Sequence, residues 1–139
     1  MNTIVSDTIE IRVRYAEVDQ MGALHHSRYW VYFEMGRTEL LRKQGIRYAD
    51  LEAKGVLFVV VRCSADYRSP ARYDDVLELE TTITRQKTCR IEHDYHLRHK
   101  ETGVTIATAK TTLACIDSAG ALAPIPESMQ LQLDPESKP

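Results

Sequence analysis

Four runs between residues 57 and 116 alternate in polarity with a period of two, and one segment ahead of them has helical spacing. Leu57, Val59, Val61, Cys63, Ala65 and Tyr67 share one face of the first run. Leu77, Leu79, Thr81 and Ile83 alternate with Glu78, Glu80, Thr82 and Thr84 in the second. Cys89, Ile91, His93, Tyr95 and Leu97 alternate with Arg90, Glu92, Asp94, His96 and Arg98 in the third. Such alternation makes strands with one wet face. The run from Val104 to Ile116 is more apolar on both faces, which suits a strand inside a sheet. A fifth strand is read at the N-terminus, where Ile9, Ile11, Val13 and Tyr15 alternate with Glu10, Arg12 and Arg14.

The helical segment runs from Ser27 to about Lys43. Tyr29, Phe33, Gly36 and Leu40 lie on one stripe, Ser27 is placed to cap the start, and Gly45 to end it. A second short helix around Tyr48 to Lys54 precedes Gly55. One long helix can cover only one face of five strands. The layout is therefore α+β, a mostly antiparallel five-stranded sheet curled around one helix. The second sheet face and the edge strands are left wanting partners, so a homodimer or larger assembly is expected.

A chain of 139 residues is one domain, read as 1–139, and can bury a core without metal or disulfide staples. Pro124, Pro126, Pro135 and Pro139 crowd the end, and residues 130–139 read as a flexible tail. A net charge of −2 disfavours an electrostatic nucleic-acid binder. Cys63, Cys89 and Cys115 are odd in number and widely spaced, so no disulfide framework is expected. They fall at apparently inward strand positions and read as inert thiols of a cytoplasmic protein. The N-terminus has no signal-peptide pattern. The apolar stretch from Val56 to Val61 is far shorter than the roughly 18 residues a membrane-spanning helix needs.

Chemistry concentrates between the first strand and the helix, in Tyr15-Ala16-Glu17-Val18-Asp19-Gln20-Met21-Gly22-Ala23-Leu24-His25-His26-Ser27-Arg28-Tyr29. Two acids stand two apart, then a glycine, two histidines and a helix start. A helix N-terminus offers unpaired N–H groups and the positive end of its dipole, which can polarise a carbonyl or hold an oxyanion. A carboxylate beside it can attack an acyl carbon or activate water. A turn or cap explains Asp19 before Gly22 equally well. By the same reasoning Glu17 is read as a solvated acid, and His25 and His26 as surface or packing residues.

Arg14 through Gly22, continuing through His26-Ser27-Arg28-Tyr29, resembles the signature of hot-dog-fold acyl-CoA thioesterases. The group is the 4-hydroxybenzoyl-CoA thioesterase family, including the thioesterases associated with the Tol-Pal system. Glu34 and Arg37 resemble its E-x-x-R helix element, and Tyr67, Pro70, Ala71, Asp74 and Asp75 its second element. The resemblance implies a hot-dog fold that hydrolyses an acyl-CoA thioester to a carboxylic acid and free CoA. It implies Asp19 as nucleophile or general base, the His26 backbone N–H as carbonyl polariser, and Gly22 as the residue that lets the loop turn. It also implies a dimer or tetramer with sites between subunits and no metal or redox cofactor. His25 stands where the family often has Tyr or Phe, which changes acyl-pocket polarity. His25 and Tyr29 are the acyl-side candidates.

Coenzyme A carries phosphates, so basic residues are sought at a cleft mouth. Arg62, Arg72, Arg85, Lys87 and Arg90 qualify, and residues 85–90 form the best group. Glu34 and Thr38 share a helix face, and an ion pair of Glu34 with Arg37 is the expected arrangement. His93 and His96 should point to opposite strand faces, against a histidine metal site. No nucleophile elbow surrounds Ser64, Ser69 or Ser118, and no phosphate-binding glycine motif is present. Two other functions stay open: a non-catalytic acyl-CoA-binding or regulatory protein, and a hot-dog hydratase or dehydratase.

Overall fold

The computed structural model describes residues 3–131. Its elements are β1 (Ser6–Arg12), α1 (His26–Lys43), α2 (Tyr48–Ala53), β2 (Leu57–Tyr67), β3 (Val76–Gln86), β4 (Arg90–His99) and β5 (Thr105–Ile116). Single 3-10 turns stand at Tyr15–Glu17 and Glu127–Met129. One sheet carries the strands in the order β1-β3-β4-β5-β2, and every neighbouring pair is antiparallel. This is the α+β hot-dog arrangement.

The wrap follows from the helix stripe. Tyr29, Phe33, Gly36 and Leu40 are all buried, with Tyr32 beside them. Gly36 brings the helix backbone onto β3: a Cβ there would run into Thr81 Oγ1 and lie 2.8 Å from Leu79 Cδ2. Burial alternates along β3 and β4, with Leu77, Leu79, Thr81, Ile83, Ile91, His93, Tyr95 and Leu97 on the helix side. The other face holds Glu78, Glu80, Asp94 and Lys110. It carries ion pairs from Arg98 to Glu78 (3.2 Å) and Lys110 to Asp94 (3.1 Å). That face therefore carries its own charge pairs.

β2 departs from its sequence pattern. Phe58 pairs with Cys115 and Val60 with Leu113, but Cys63, Ala65 and Tyr67 pair with Thr111, Ala109 and Ala107. The register shifts between Val60 and Arg62, so Val61 is the extra residue of a bulge. Directly paired residues share a face. The continuous face expected from Leu57 to Tyr67 is therefore two half-faces, and Phe58 and Val60 join the side of Cys63, Ala65 and Tyr67. Cys63 is exposed rather than buried, on the edge strand of the sheet; Cys89 is half-buried and Cys115 buried.

Several boundaries shift. β1 stops at Arg12, and Tyr15, expected on the strand, instead opens a 3-10 turn and is exposed. The cap of α1 is His25, not Ser27: the His25 ring accepts from the Ser27 N–H. At the C-terminal end, Gln130 and Leu131 are ordered against the sheet, Leu131 N–H donating 2.9 Å to Gln86 Oε1, and Leu131 is buried. The rest of the expected tail, 132–139, lies outside the described residues.

The interior packs as two clusters. One gathers Val13, Leu24, Tyr29, Tyr32, Phe33, Ala71, Leu79, Tyr95 and Leu97. The other gathers Leu40, Leu51, Ile83, Ile91, Cys115, Ile125 and Met129.

Candidate active site

The loop between β1 and α1 closes on itself. Val18 and Leu24 form an antiparallel bridge. Within it, Asp19 N–H donates to Ala23 O (2.8 Å) and Gly22 N–H to Asp19 O (2.9 Å). Gly22 has φ +81°, a left-handed conformation that favours glycine. Asp19 Oδ1 accepts from Met21 N–H (2.9 Å) and Ala23 N–H (3.2 Å). The second sequence element holds this loop from outside. Leu24 N–H donates to Ala71 O (2.7 Å), Ala23 bridges Arg72, and the Arg72 guanidinium donates to Met21 O (3.3 Å). Arg72 is thus part of the loop support, apart from the other basic residues.

The two acids have opposite surroundings. Glu17 is only 2% exposed, not solvated. Its Oε1 accepts from Arg14 N–H (2.8 Å) and the Tyr32 hydroxyl (2.7 Å), and its Oε2 from the Arg14 guanidinium (3.1 Å). Burial works to raise its pKa, but these donors outweigh burial and hold it below the ordinary carboxylate value. Asp19 is half-buried, and its Oδ2 accepts no hydrogen bond among the described residues. Asp19 therefore serves the turn with one oxygen and leaves the other unengaged among the described residues. Sequence reasoning missed Glu17 and Tyr32. The available signal was a tyrosine on the buried side of the helix, whose hydroxyl needs a partner.

His26 opens α1, so its N–H precedes the first intrahelical bond, and no acceptor engages it among the described residues. The His25 and His26 rings stack at 4.3 Å, and both residues are exposed. His25 Nδ1 is occupied by the cap, 3.2 Å from Ser27 N and 2.8 Å from Ser27 Oγ. Tyr29 is buried edge-on to Tyr67 at 4.8 Å, and burial pushes its hydroxyl pKa up.

Arg62, Arg85, Lys87 and Arg90 line a single basin of about 490 Å³ with Val61, Glu92 and Thr112. Arg85 pairs with Glu92 at 3.3 Å. A second cleft, about 470 Å³, opens between the C-terminal half of α1, α2 and the sheet, and Leu40, Phe58, Val60, Ile83, Ile91 and His93 are among its walls. Neither lies at Asp19 of the same chain. The Asp19 loop is anchored just before β3, and the basin takes Arg85 near its far end. At about 3.3 Å per residue that strand separates them by roughly 30 Å.

The sequence of residues 13–133 matches the family model of the thioesterase-like superfamily. The chain belongs to that superfamily. It is 37% identical over 108 residues to YneP of Bacillus subtilis, covering 78% of each protein. It is 32% identical over 107 residues to the acyl-CoA thioester hydrolase YbgC of Escherichia coli, covering 77% of this chain and 79% of that one. Among solved structures, the Thermus thermophilus protein TT1821 superposes with a TM-score of 0.81 at 38% identity, over 86% of this chain and 91% of that one.

For this thioesterase-superfamily chain one other expectation fails, the Glu34–Arg37 ion pair, and one holds, the opposite facing of His93 and His96. Arg37 makes no ion pair with Glu34. It donates instead to the Tyr95 hydroxyl (3.1 Å), which shares a hydrogen bond with Thr111 Oγ1 (2.7 Å), because the inward tyrosine lies within reach of the arginine's long stem. His93 faces the helix, 5% exposed, whereas His96 meets Thr105 Oγ1 (2.9 Å) on the opposite face. His93 Nδ1 has no hydrogen-bond partner among the described residues. Burial, with nearby Arg37, pushes the His93 pKa down to about 3. The unfolded chain takes up this proton first as pH falls, so the neutral buried ring favours folding above about pH 6.5 and progressively less below it. Stability should fall by about 1.4 kcal/mol per pH unit from this group between about 6.5 and 3. Denaturant unfolding at stepped pH should show that slope, and His93→Phe should flatten it.

Proposed function

We propose that this chain hydrolyses an acyl-CoA thioester to a carboxylic acid and free coenzyme A. The observation that carries the reading is that, among the described residues, Oδ2 of half-buried Asp19 accepts no hydrogen bond, in the loop leading to the unengaged His26 N–H at the start of α1. The His26 N–H receives the thioester carbonyl oxygen and stabilises the negative charge that develops there. Asp19 Oδ2 either attacks the acyl carbon and expels the CoA thiolate, leaving a mixed anhydride for water to cleave, or takes a proton from the attacking water. Both routes start at the same oxygen. They need water, a carboxylate and backbone donors, and we assign no cofactor and no metal. The kinship with YbgC, an acyl-CoA thioester hydrolase by name, supports the substrate class.

The site requires a second copy. Val59, Val60 and Val61 on β2 are 40, 49 and 48% exposed on the open edge of the sheet. Antiparallel pairing of two β2 edges sets the Leu57 end of one against the Tyr67 end of the other. Tyr67 packs on Tyr29, three residues into the helix from His26. The partner's cleft wall then approaches Asp19, with the apolar cleft for the acyl chain and the basin for the CoA phosphates. We take the homodimer as the working unit and a pair of dimers, a homotetramer, as the fuller assembly, in the cytoplasm. Among the described residues no helix is long and apolar enough to cross a membrane.

Thiol release across short, medium, long and aromatic acyl-CoAs tests the activity. Release of thiol from none of them overturns it, as does enoyl hydration without thiol release. Arg90→Ala should raise KM for the preferred ester by about three- to tenfold, leave kcat within twofold, and weaken the salt dependence of kcat/KM. An unchanged KM and salt profile removes the basin from CoA binding.

A further inference from the structure

We infer that Glu17 is a positioning residue: its buried carboxylate holds the Asp19 loop and the start of α1 in one frame. The inference rests on the thioester-hydrolysis reading of Asp19. Buried ionised carboxylates are retained where donors satisfy them. Here three do: the Arg14 N–H at 2.8 Å, the Tyr32 hydroxyl at 2.7 Å and the Arg14 guanidinium at 3.1 Å. The three donors fix two points, Arg14 and Tyr32. The Arg14 contacts close the 3-10 turn that starts the loop. Tyr32 lies on α1, six residues beyond His26, and is itself buried. The main chain of Glu17 supplies a third point, because its carbonyl accepts the His25 N–H at 2.9 Å.

Glu17 therefore grips the helix twice, once at its cap through the backbone and once at its second turn through the side chain. Asp19 is two residues away on the same stretch of chain. The distance between the Asp19 carboxylate and the His26 N–H is set by a loop of seven residues, and a free loop of that length would not hold it. A reacting geometry misplaced by about 1 Å loses on the order of 100-fold in rate. Glu17 is unsuited to the chemistry itself: it is 2% exposed and both its oxygens are engaged. Its burial explains why two acids stand in this segment, one acting and one holding.

Glu17→Gln keeps the side-chain shape but sets an amide donor or a neutral oxygen against the Arg14 guanidinium. Tyr32→Phe removes only the hydroxyl. In the full-length oligomer, at temperatures well below unfolding, Glu17→Gln should lower kcat by about 10- to 100-fold and leave KM within threefold. Tyr32→Phe should lower kcat by about tenfold with the same unchanged KM, and the double variant should fall no further than Glu17→Gln alone. Wild-type kcat in both single variants overturns the inference. So does a loss that tracks the unfolded fraction in a melt, or full additivity of the two substitutions. Asp19→Asn run in parallel separates the levels. If it keeps turnover, the Asp19 reading fails; if it loses turnover while the Glu17 and Tyr32 variants do not, only the positioning role fails. Should no ester turn over at all, amide hydrogen exchange of residues 18–26 reads the frame directly. Exchange in Glu17→Gln no faster than wild type overturns the brace.

Discussion

Asp19→Asn should reduce thioester hydrolysis by about a thousandfold or more while the melting temperature stays within about 2 °C of wild type. The two halves of this expectation come from the two oxygens. Oδ1 holds the turn by accepting from Met21 and Ala23 N–H groups, and an asparagine carbonyl accepts the same bonds. In the proposed reaction Oδ2 attacks or deprotonates, and an amide nitrogen in its place does neither. Loss of a general base or nucleophile costs about 10²- to 10⁴-fold or more. Thiol release and a thermal melt on the same preparation check it. Activity within tenfold of wild type removes Asp19 from the chemistry; a collapse of the melting temperature shows that the turn, not the reaction, needed the charge.

Gly36→Val should be the most damaging small substitution in the helix. Mid-helix glycine is ordinarily a weak point, and replacing it recovers a few tenths of a kcal/mol in propensity. Here sterics decide the sign. The first carbon added meets Thr81 Oγ1 and Leu79 Cδ2, the latter at 2.8 Å, and both belong to buried residues of β3. Neither side chain is the loose end of a long surface residue, so helix and sheet must separate. Overpacking of this kind costs typically 1–3 kcal/mol, and the branched Val should reach about 3 kcal/mol, roughly 10 °C in melting temperature. Differential scanning calorimetry measures it. A Gly36→Val melt equal to wild type would mean the helix rides higher on β3 than described.

The period-two runs were enough to place the five strands, and the stripe of Tyr29, Phe33, Gly36 and Leu40 the helix they enclose. These are local patterns, repeated over many residues. What stayed hidden depends on single residues. The bulge at Val61 is invisible because three consecutive valines carry no phase, so the alternation reads smoothly across it. His25 displaced Ser27 as the cap because a ring nitrogen accepts a backbone N–H as a hydroxyl does. Glu17 looked solvated because its partner Tyr32 is 15 residues away and helical periodicity says nothing about where a hydroxyl points. At the site, the loop itself was legible and its division of labour was not: spacing cannot show that one acid is enclosed while the other keeps an oxygen free. Arg62 did join the 85–90 group on one basin, though distant from it in sequence, because β2, the β3–β4 turn and β5 meet there.

The two packing clusters have a consequence for how such a chain can change over time. Val13, Leu24, Tyr29, Tyr32 and Ala71 stand behind the Asp19 loop in one cluster, whereas Leu40, Ile83 and Ile91 belong to the other and wall the cleft. A methyl group gained or lost at Ile83 alters the shape of the cleft without touching any side chain that fixes Asp19 or His26. The Asp19 loop and the cleft thus answer to separate sets of neighbours. If they act as proposed, one scaffold can drift from one acyl group to another through the second set while the first stands still.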